Sequence, residues 1–203
     1  DPAHENVLYA GTDNGLYVTL DLGATWHAFS KDLPAVAVHD VVVQAREKHL
    51  LVGTHGRSIF KADMAPLVAL APKMASGKTP AAHLFELASQ GVSPRWGMAR
   101  GFSDPYTPSL SLDFFVAKAG PVSVSVLNQQ GIEVNQITLE ADAGFNSAAF
   151  HMNFSKEGKL AFLKKNKMKL TTATDGNTYL PKGTYKVEIT SGKAQSSQTL
   201  KLE

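Results

Sequence analysis

The sequence predicts an all-β protein in which part of a β-propeller is followed by an immunoglobulin-like β-sandwich. Three observations support this prediction. Short apolar runs alternate with turn residues over 7–64, a ten-residue pattern occurs twice in that region, and a two-residue apolar period returns from Ser109 onwards. Alternation with a period of two, punctuated by Gly, Asn and Asp, is typical of strands joined by tight turns. The predicted regions are 1–64 for the propeller segment, 65–108 for a linker and inter-domain loop, and 109–203 for the sandwich.

The first region begins with a predicted meander of three strands. The run Val7–Thr12 stops at Asp13–Gly15, where Asn followed by Gly favours a tight hairpin because both residue types tolerate positive φ. Leu16–Leu20 returns, Asp21–Gly23 makes a second turn, and Thr25–Phe29 alternates as a third strand. Further strands are predicted at Val36–Val43, Leu50–Gly53 and Ser58–Lys61.

A repeat lies within this region. The segment Leu8–Tyr17 matches Leu51–Phe60, and the offset from Gly11 to Gly53 is 42 residues. That offset is the period of a four-stranded propeller blade, so the region holds about one and a half blades. Unpaired strand edges are templates for other strands. We therefore expect this region to pack on the sandwich or to pair with a second copy.

The middle region predicts little regular structure. Ala65–Pro80 is rich in Ala, Pro and Lys and predicts a linker with at most a short helical turn. Ala82–Leu87 is predicted to be a strand that crosses between domains, and Gly91–Pro108 an ordered loop.

The third region predicts about seven strands over roughly 95 residues, with one apolar face, as in an immunoglobulin-like sandwich. Its alternating apolar positions include Leu110, Leu112, Phe114, Val116, Val122, Val124 and Val126, and the run Gly183–Ile189 follows later.

Composition excludes several functional classes. The 203 residues are 43% hydrophobic and 19% charged, with a net charge of +2, which is too mild to predict binding to nucleic acid or an anionic membrane. The basic cluster Lys164, Lys165, Lys167 and Lys169 contains no arginine or aromatic residue, so a solvated loop is favoured over a binding patch. The lysine-rich stretch 155–178 has no assigned role.

There is no cysteine, which excludes disulfides, thiolate zinc sites and a cysteine nucleophile. No apolar run reaches the length of a membrane span. The chain begins at Asp1 without a methionine, and we expect it to be the C-terminal piece of a longer protein.

One motif is specific. The segment Thr19–Trp26 matches in full the Asp-box pattern [Ser/Thr]-x-Asp-x-Gly-x-Thr-Trp, through Thr19, Asp21, Gly23, Thr25 and Trp26. At such a turn Asp21 can accept backbone N–H bonds and Gly23 can take positive φ. Trp26 is expected to bury its ring against the neighbouring hairpin, so that Trp26→Ala costs about 3–5 kcal/mol. We expect the motif to be structural.

More narrowly, the chain resembles the C-terminal part of bacterial BNR-repeat, sortilin-related, glycosyl-hydrolase-like proteins. The resemblance rests on Val52–Ile59 and on Pro181–Tyr185, together with Gly144–Asn146; Phe150 stands where the family has Trp. It implies a propeller joined to an immunoglobulin-like domain, in a periplasmic or extracellular setting. The implied partners are the remaining blades of the parent chain, and a carbohydrate or protein ligand.

His55 and Arg57 are the candidate ligand-facing residues, because they lie on a turn between strands where Arg57 can hold a carboxylate or a sugar hydroxyl. The favoured alternative is a structural turn that needs Gly56. The remaining histidines lack metal-ligand spacing. His39 and Asp40 are neighbours on a strand and are expected to face opposite sides, which argues against a shared site.

No catalytic residue is predicted, because no acidic pair, nucleophile elbow or phosphate loop is recognisable. No cofactor and no metal are expected. Trp96, Phe102 and Tyr106 form a possible aromatic platform for sugars, against the favoured alternative that they fill a seam between domains. The predicted function is a non-catalytic structural or binding module of a secreted propeller protein. The alternative is an accessory tail of a glycoside hydrolase whose catalytic residues lie upstream, so whether the parent is an enzyme stays open.

Overall fold

The computed structural model describes residues 1–29, 33–99 and 103–203, and this part of the chain is predominantly β. It is 44% strand and 11% helix, with several antiparallel sheets, none of which closes within the described residues. The chain divides into two units. The first comprises 1–81, 114–119 and 142–146, and the second comprises 82–113, 120–141 and 147–203.

The strands are β1 (Leu8–Thr12), β2 (Gly15–Thr19), β3 (His27–Ala28), β4 (Val38–Gln44), β5 (His49–Thr54), β6 (Ile59–Asp63), β7 (Ala82–Leu84), β8 (Leu110–Val116), β9 (Gly120–Asn128), β10 (Glu133–Ala141), β11 (Gly144–Phe150), β12 (Gly183–Ser191) and β13 (Ala194–Leu202). The helices are α1 (Ala65–Ala75) and α2 (Lys156–Lys165). The described sheets have the orders β1-β2-β3, β4-β5-β6, β10-β9-β12-β13 and β11-β8-β7. Strands β8 and β11 each contain residues of both units.

The first unit contains two three-stranded meanders. The predicted hairpin between β1 and β2 is present, with Thr12 opposite Gly15, and the positive φ of 121° falls on Gly15. A Cβ on Gly11 would lie 2.7 Å from Val38 Cγ1, so β1 approaches β4 too closely for a side chain at that position. A core of Leu16, Val38, Leu50, Val52 and Met64 fills the space between these strands.

Helix α1 replaces the linker predicted over Ala65–Pro80. Its buried residues Leu67, Leu70, Ala71 and Met74 share one face of an eleven-residue helix. The Asp63 carboxylate accepts the Ala65 N–H at 2.8 Å and so satisfies a donor of the first turn. A proline in that first turn is compatible with a helix because its missing N–H would have no partner there. The sequence pattern was too short and too rich in proline to reveal the apolar face.

The second unit is built on the four-stranded sheet. On its central strand β9, Val122, Val124 and Val126 are fully buried while Ser123 and Ser125 are only half-buried, as the two-residue period predicts. Strand β12 pairs with β9 on one side and with β13 on the other. Tyr185 on β12 is buried, and its hydroxyl donates to the Pro181 carbonyl at 2.8 Å.

Strand β10 is one edge of that sheet, and helix α2 packs beside it. The Ser155 hydroxyl caps the helix by accepting the Gly158 N–H at 3.0 Å. The helix includes Lys164 and Lys165, which were expected in a solvated loop, whereas Lys167 and Lys169 follow its end and have no regular structure. Within the described residues, no helix is both long enough and apolar enough to cross a membrane.

Candidate functional site

The turn at Thr19–Trp26 is closed by hydrogen bonds to the Asp21 carboxylate. Oδ1 accepts the Thr19 hydroxyl at 2.7 Å and the Thr25 N–H at 2.8 Å, and Oδ2 accepts the Thr25 hydroxyl at 2.6 Å. Both oxygens therefore bind groups of the same turn. A carboxylate held in this way links two strands and is poorly placed to take a proton from a substrate.

Thr19 organises the other side of the turn. Its side chain is fully buried, and its hydroxyl oxygen accepts the Gly23 N–H at 2.8 Å while donating to Asp21. Gly23 has φ of 93°, which favours glycine, and Leu22 has φ of 58°, which is strained for a branched side chain. Asn6 is hydrogen-bonded to both ends of this corner. Its backbone carbonyl accepts the Leu22 N–H at 3.1 Å, and its side-chain amide donates to the Leu20 carbonyl at 2.6 Å.

The ionisation of Asp21 follows from these contacts. Burial raises the pKa of the Asp21 carboxyl, but the hydrogen bonds from Thr25 and Thr19 and the nearby His27 outweigh burial and leave that pKa below its usual value. Asp21 is therefore a carboxylate at neutral pH. A general acid would require the opposite shift.

In comparisons with known proteins, no family model and no curated protein matches the chain.

Trp26 differs from expectation. Its side chain is 44% exposed, so the prediction that it buries its ring against the neighbouring hairpin is wrong. The indole lies over the corner, where a Cβ on Gly23 would be 3.8 Å from Trp26 Nε1. The ring covers the turn on one side and keeps its other side in solvent.

His27, the next residue, was not singled out by any sequence pattern. Its ring packs edge-on against Phe115 at 5.4 Å and Phe145 at 6.4 Å between centroids, and its Nε2 is buried without a hydrogen-bond partner among the described residues. Gly144, with φ of 110°, leaves room for this ring, since a Cβ there would lie 3.2 Å from His27 Nδ1. Burial lowers the pKa of His27, and the Asp21 carboxylate offsets part of that effect. Only the folded chain brings Phe115 and Phe145 to His27, so no local motif could have found this contact.

The turn that carries His55 and Arg57 is well defined. Thr54 binds the Ser58 carbonyl through its hydroxyl at 2.6 Å and its N–H at 3.2 Å, and Gly56 has φ of 71°. Arg57 is exposed. The positive φ of Gly56 agrees with the structural alternative for this segment.

His55 stacks on His39, with ring centroids 5.2 Å apart and planes inclined by 27°. A register shift between Val38 and Asp40 makes His39 the extra residue of a bulge, and both His39 and Asp40 are exposed. The bulge interrupts the regular alternation on which the expectation of opposite faces for His39 and Asp40 was based. Among the described residues, no group of three or more His, Asp or Glu side chains is placed to hold a metal ion.

The residues proposed as an aromatic platform have different environments. Trp96 is only 7% exposed and packs against Tyr179 with centroids 5.6 Å apart, whereas Tyr106 is 63% exposed. Phe102 lies outside the described residues. Trp96 therefore does not offer its ring to a ligand, in contrast to a platform of three exposed rings. Tyr106 lines an open cleft of about 500 Å³ together with Arg95, Met98 and Asp104.

A second network, which no sequence motif predicted, fixes the 173–179 loop at the end of the lysine-rich stretch 155–178. Asp175 accepts hydrogen bonds from the Tyr179 hydroxyl and from Asn177, and the Gly97 carbonyl accepts the Thr174 hydroxyl at 2.6 Å. Burial and the hydrogen bond to Asp175 raise the pKa of Tyr179 to about 12. A Cβ on Gly97 would lie 2.6 Å from Asp175 Oδ1, so this loop can pack closely only on glycine.

Proposed function

We propose that the chain is a non-catalytic structural and binding module of an Asp-box β-propeller protein. In this proposal, residues 1–64 are a segment of the propeller and 109–203 an immunoglobulin-like sandwich. Following the sequence resemblance, we place the parent protein in the bacterial periplasm or outside the cell. The observation that carries the proposal is the occupation of both Asp21 oxygens by Thr19 and Thr25.

The sequence repeat supports the proposal that 1–64 is a segment of a propeller. The matching segments fall on β1-β2 and on β5-β6, so a strand equivalent to β4 would pair with β1, and one equivalent to β3 would pair with β6. In the described sheets β1 and β6 are edges. Edges of this kind suit neighbouring blades of the parent or a second copy of the chain.

A hydrogen bond of Tyr185 supports the proposal that 109–203 is an immunoglobulin-like sandwich. Its buried hydroxyl donates to a backbone carbonyl four residues upstream, as in the tyrosine corner of immunoglobulin-like domains. Burial raises the pKa of Tyr185 to about 12, so the phenol remains a hydrogen-bond donor at physiological pH.

A turnover assay tests the proposal. The purified chain is incubated with aryl glycosides, sialosides and xyloglucan, and released sugar is measured. We expect no release above buffer, because both oxygens of the Asp21 carboxylate are used within its own turn. Turnover that disappears when one side chain of this chain is replaced would overturn the proposal and favour the glycoside hydrolase alternative.

A further inference from the structure

Helix α2 packs closely against the edge strand β10. The Ser155 N–H donates to the Val134 carbonyl at 3.0 Å, and a Cβ on Gly158 would collide with that same carbonyl. Phe162 is buried and packs on Phe154, with centroids 5.2 Å apart. The inner face of α2 therefore covers a sheet edge, and the orientation of its outer face is fixed.

The outer face presents apolar side chains to solvent. Leu160 is 62% exposed and Leu163 is 39% exposed, and Met168, just beyond the helix, is 49% exposed. Residues three apart lie on one side of a helix, so Leu160 and Leu163 are neighbours. A single exposed leucine needs no explanation, but two neighbouring exposed leucines followed by an exposed methionine concentrate apolar surface in one short segment.

Lysines surround these residues. We define the Lys–Leu patch as the three apolar residues together with the exposed Lys156, Lys164, Lys165, Lys167 and Lys169. Glu157 is the single acidic residue between Lys156 and Lys169. The half-buried Lys159 is separate, because its ammonium group donates to Thr172 and Thr178. The modest net charge of +2 for the whole chain hides this local concentration of positive charge.

We propose that the Lys–Leu patch docks on an anionic lipid surface. Lysines attract anionic headgroups from a distance, and aliphatic side chains between them insert at the boundary of headgroups and acyl chains. The patch contains neither arginine nor an aromatic residue, whereas protein hot spots favour Trp, Tyr and Arg. Single-stranded nucleic acids require aromatic rings for stacking. The composition therefore fits a lipid interface better than either macromolecule.

Vesicle co-sedimentation of the full chain tests this inference. The probes are phosphatidylcholine vesicles with about 30% phosphatidylglycerol and vesicles of phosphatidylcholine alone. We expect binding to the anionic vesicles only, with affinity that falls at least about tenfold when salt rises from about 50 to about 300 mM. Equal binding to both vesicles, or to neither, would overturn the inference.

Paired variants locate the contact. Lys164→Glu with Lys165→Glu is expected to weaken vesicle binding at least about tenfold, and Leu160→Ser with Leu163→Ser at least about fivefold. The control is Lys182→Glu with Lys193→Glu, which changes the net charge equally at exposed positions outside the patch. All four substituted residues in the patch are exposed, and unchanged circular dichroism is required of each variant.

Two outcomes of the variants contradict the inference. If the control weakens binding as much as the lysine pair does, the attraction belongs to the whole chain and not to the patch. If the leucine pair has no effect while soluble polyglutamate binds the wild-type chain tightly, the patch serves an acidic protein.

Discussion

Thr25 donates twice to Asp21, through its N–H at 2.8 Å and through its hydroxyl at 2.6 Å. The two bonds reach different oxygens of one carboxylate, so Thr25 fixes the orientation of that group as well as its position. Both bonds are exposed to solvent, which limits the free energy that each contributes.

The first prediction separates the hydroxyl from the N–H. Thr25→Val keeps the shape and the N–H bond but loses the hydroxyl, and we expect the free energy of unfolding to fall by about 0.5–1.5 kcal/mol. Thr25→Ser keeps both donors and is the matched control, with an expected loss below about 0.5 kcal/mol. Urea unfolding measures both. Equal losses for the two variants would mean that the methyl group, and not the hydroxyl, stabilises the turn.

The second prediction concerns the stability of the fold at acidic pH. Burial lowers the pKa of His27 in the folded chain, so between its ordinary value near 6.5 and the lower folded value the unfolded chain binds more protons. The contribution of neutral His27 to the free energy of unfolding is therefore full above about pH 6.5 and is lost as the pH falls through the folded pKa of His27. Asp21, whose pKa is also lowered, adds a further loss below about pH 4.

The slope of stability against pH, measured by urea unfolding between about pH 7.5 and about pH 5, tests the His27 contribution. We expect His27→Phe to reduce that slope, because the variant cannot be protonated and keeps a ring in the aromatic contact. His49→Gln removes another histidine of the same unit and leaves the His27 contacts intact, so it serves as the control. A slope unchanged by His27→Phe would show that other groups cause the acid sensitivity.

The third prediction concerns Gly97. Alanine there would place Cβ 2.6 Å from both Ala173 Cβ and Asp175 Oδ1, at a φ of 70°. We expect Gly97→Ala to lower the free energy of unfolding by about 2–4 kcal/mol, from overpacking together with backbone strain. Gly91→Ala is the control, because nothing lies within 4 Å of a Cβ at that position and its φ is not in the left-handed region. Similar melting temperatures for the two variants would contradict the close packing of the 173–179 loop.

The fourth prediction revises the cost of losing Trp26. Because 44% of the residue remains exposed, we expect Trp26→Ala to cost about 1–2 kcal/mol by thermal or urea unfolding, less than a fully buried tryptophan would. Trp96→Ala, at a residue 7% exposed, is the comparison and is expected to cost about 3–5 kcal/mol. A larger loss for Trp26 than for Trp96 would mean that the neighbouring hairpin covers the Trp26 ring after all.

Local patterns in the sequence predicted the features that depend on neighbouring residues. The hairpin at Asp13–Gly15 and the alternation along β9 followed from turn chemistry and a period of two. Features that depend on tertiary contact were missed. The apolar face of α1 was hidden by its prolines, and no local pattern indicated the bulge at His39.

The site was predictable to a similar extent. The residues of the Thr19–Trp26 turn could be named because their hydrogen bonds join residues at most four positions apart. His27 could not be found, because the aromatic residues around its ring lie about ninety and more positions away along the chain. The network around Asp175 escaped for the same reason, since its glycine partner, Gly97, comes from a distant loop.

The most direct test of the central claim is the unfolding free energy of Asp21→Asn beside that of Asp13→Asn, an exposed aspartate in the preceding turn. If Asp21 joins two strands, its replacement lowers stability by about 1–3 kcal/mol, because the amide can accept on only one oxygen, while Asp13→Asn changes it by less than about 0.5 kcal/mol. Equal stability of the two variants, with a ligand-binding or hydrolytic activity lost only in Asp21→Asn, would contradict the account.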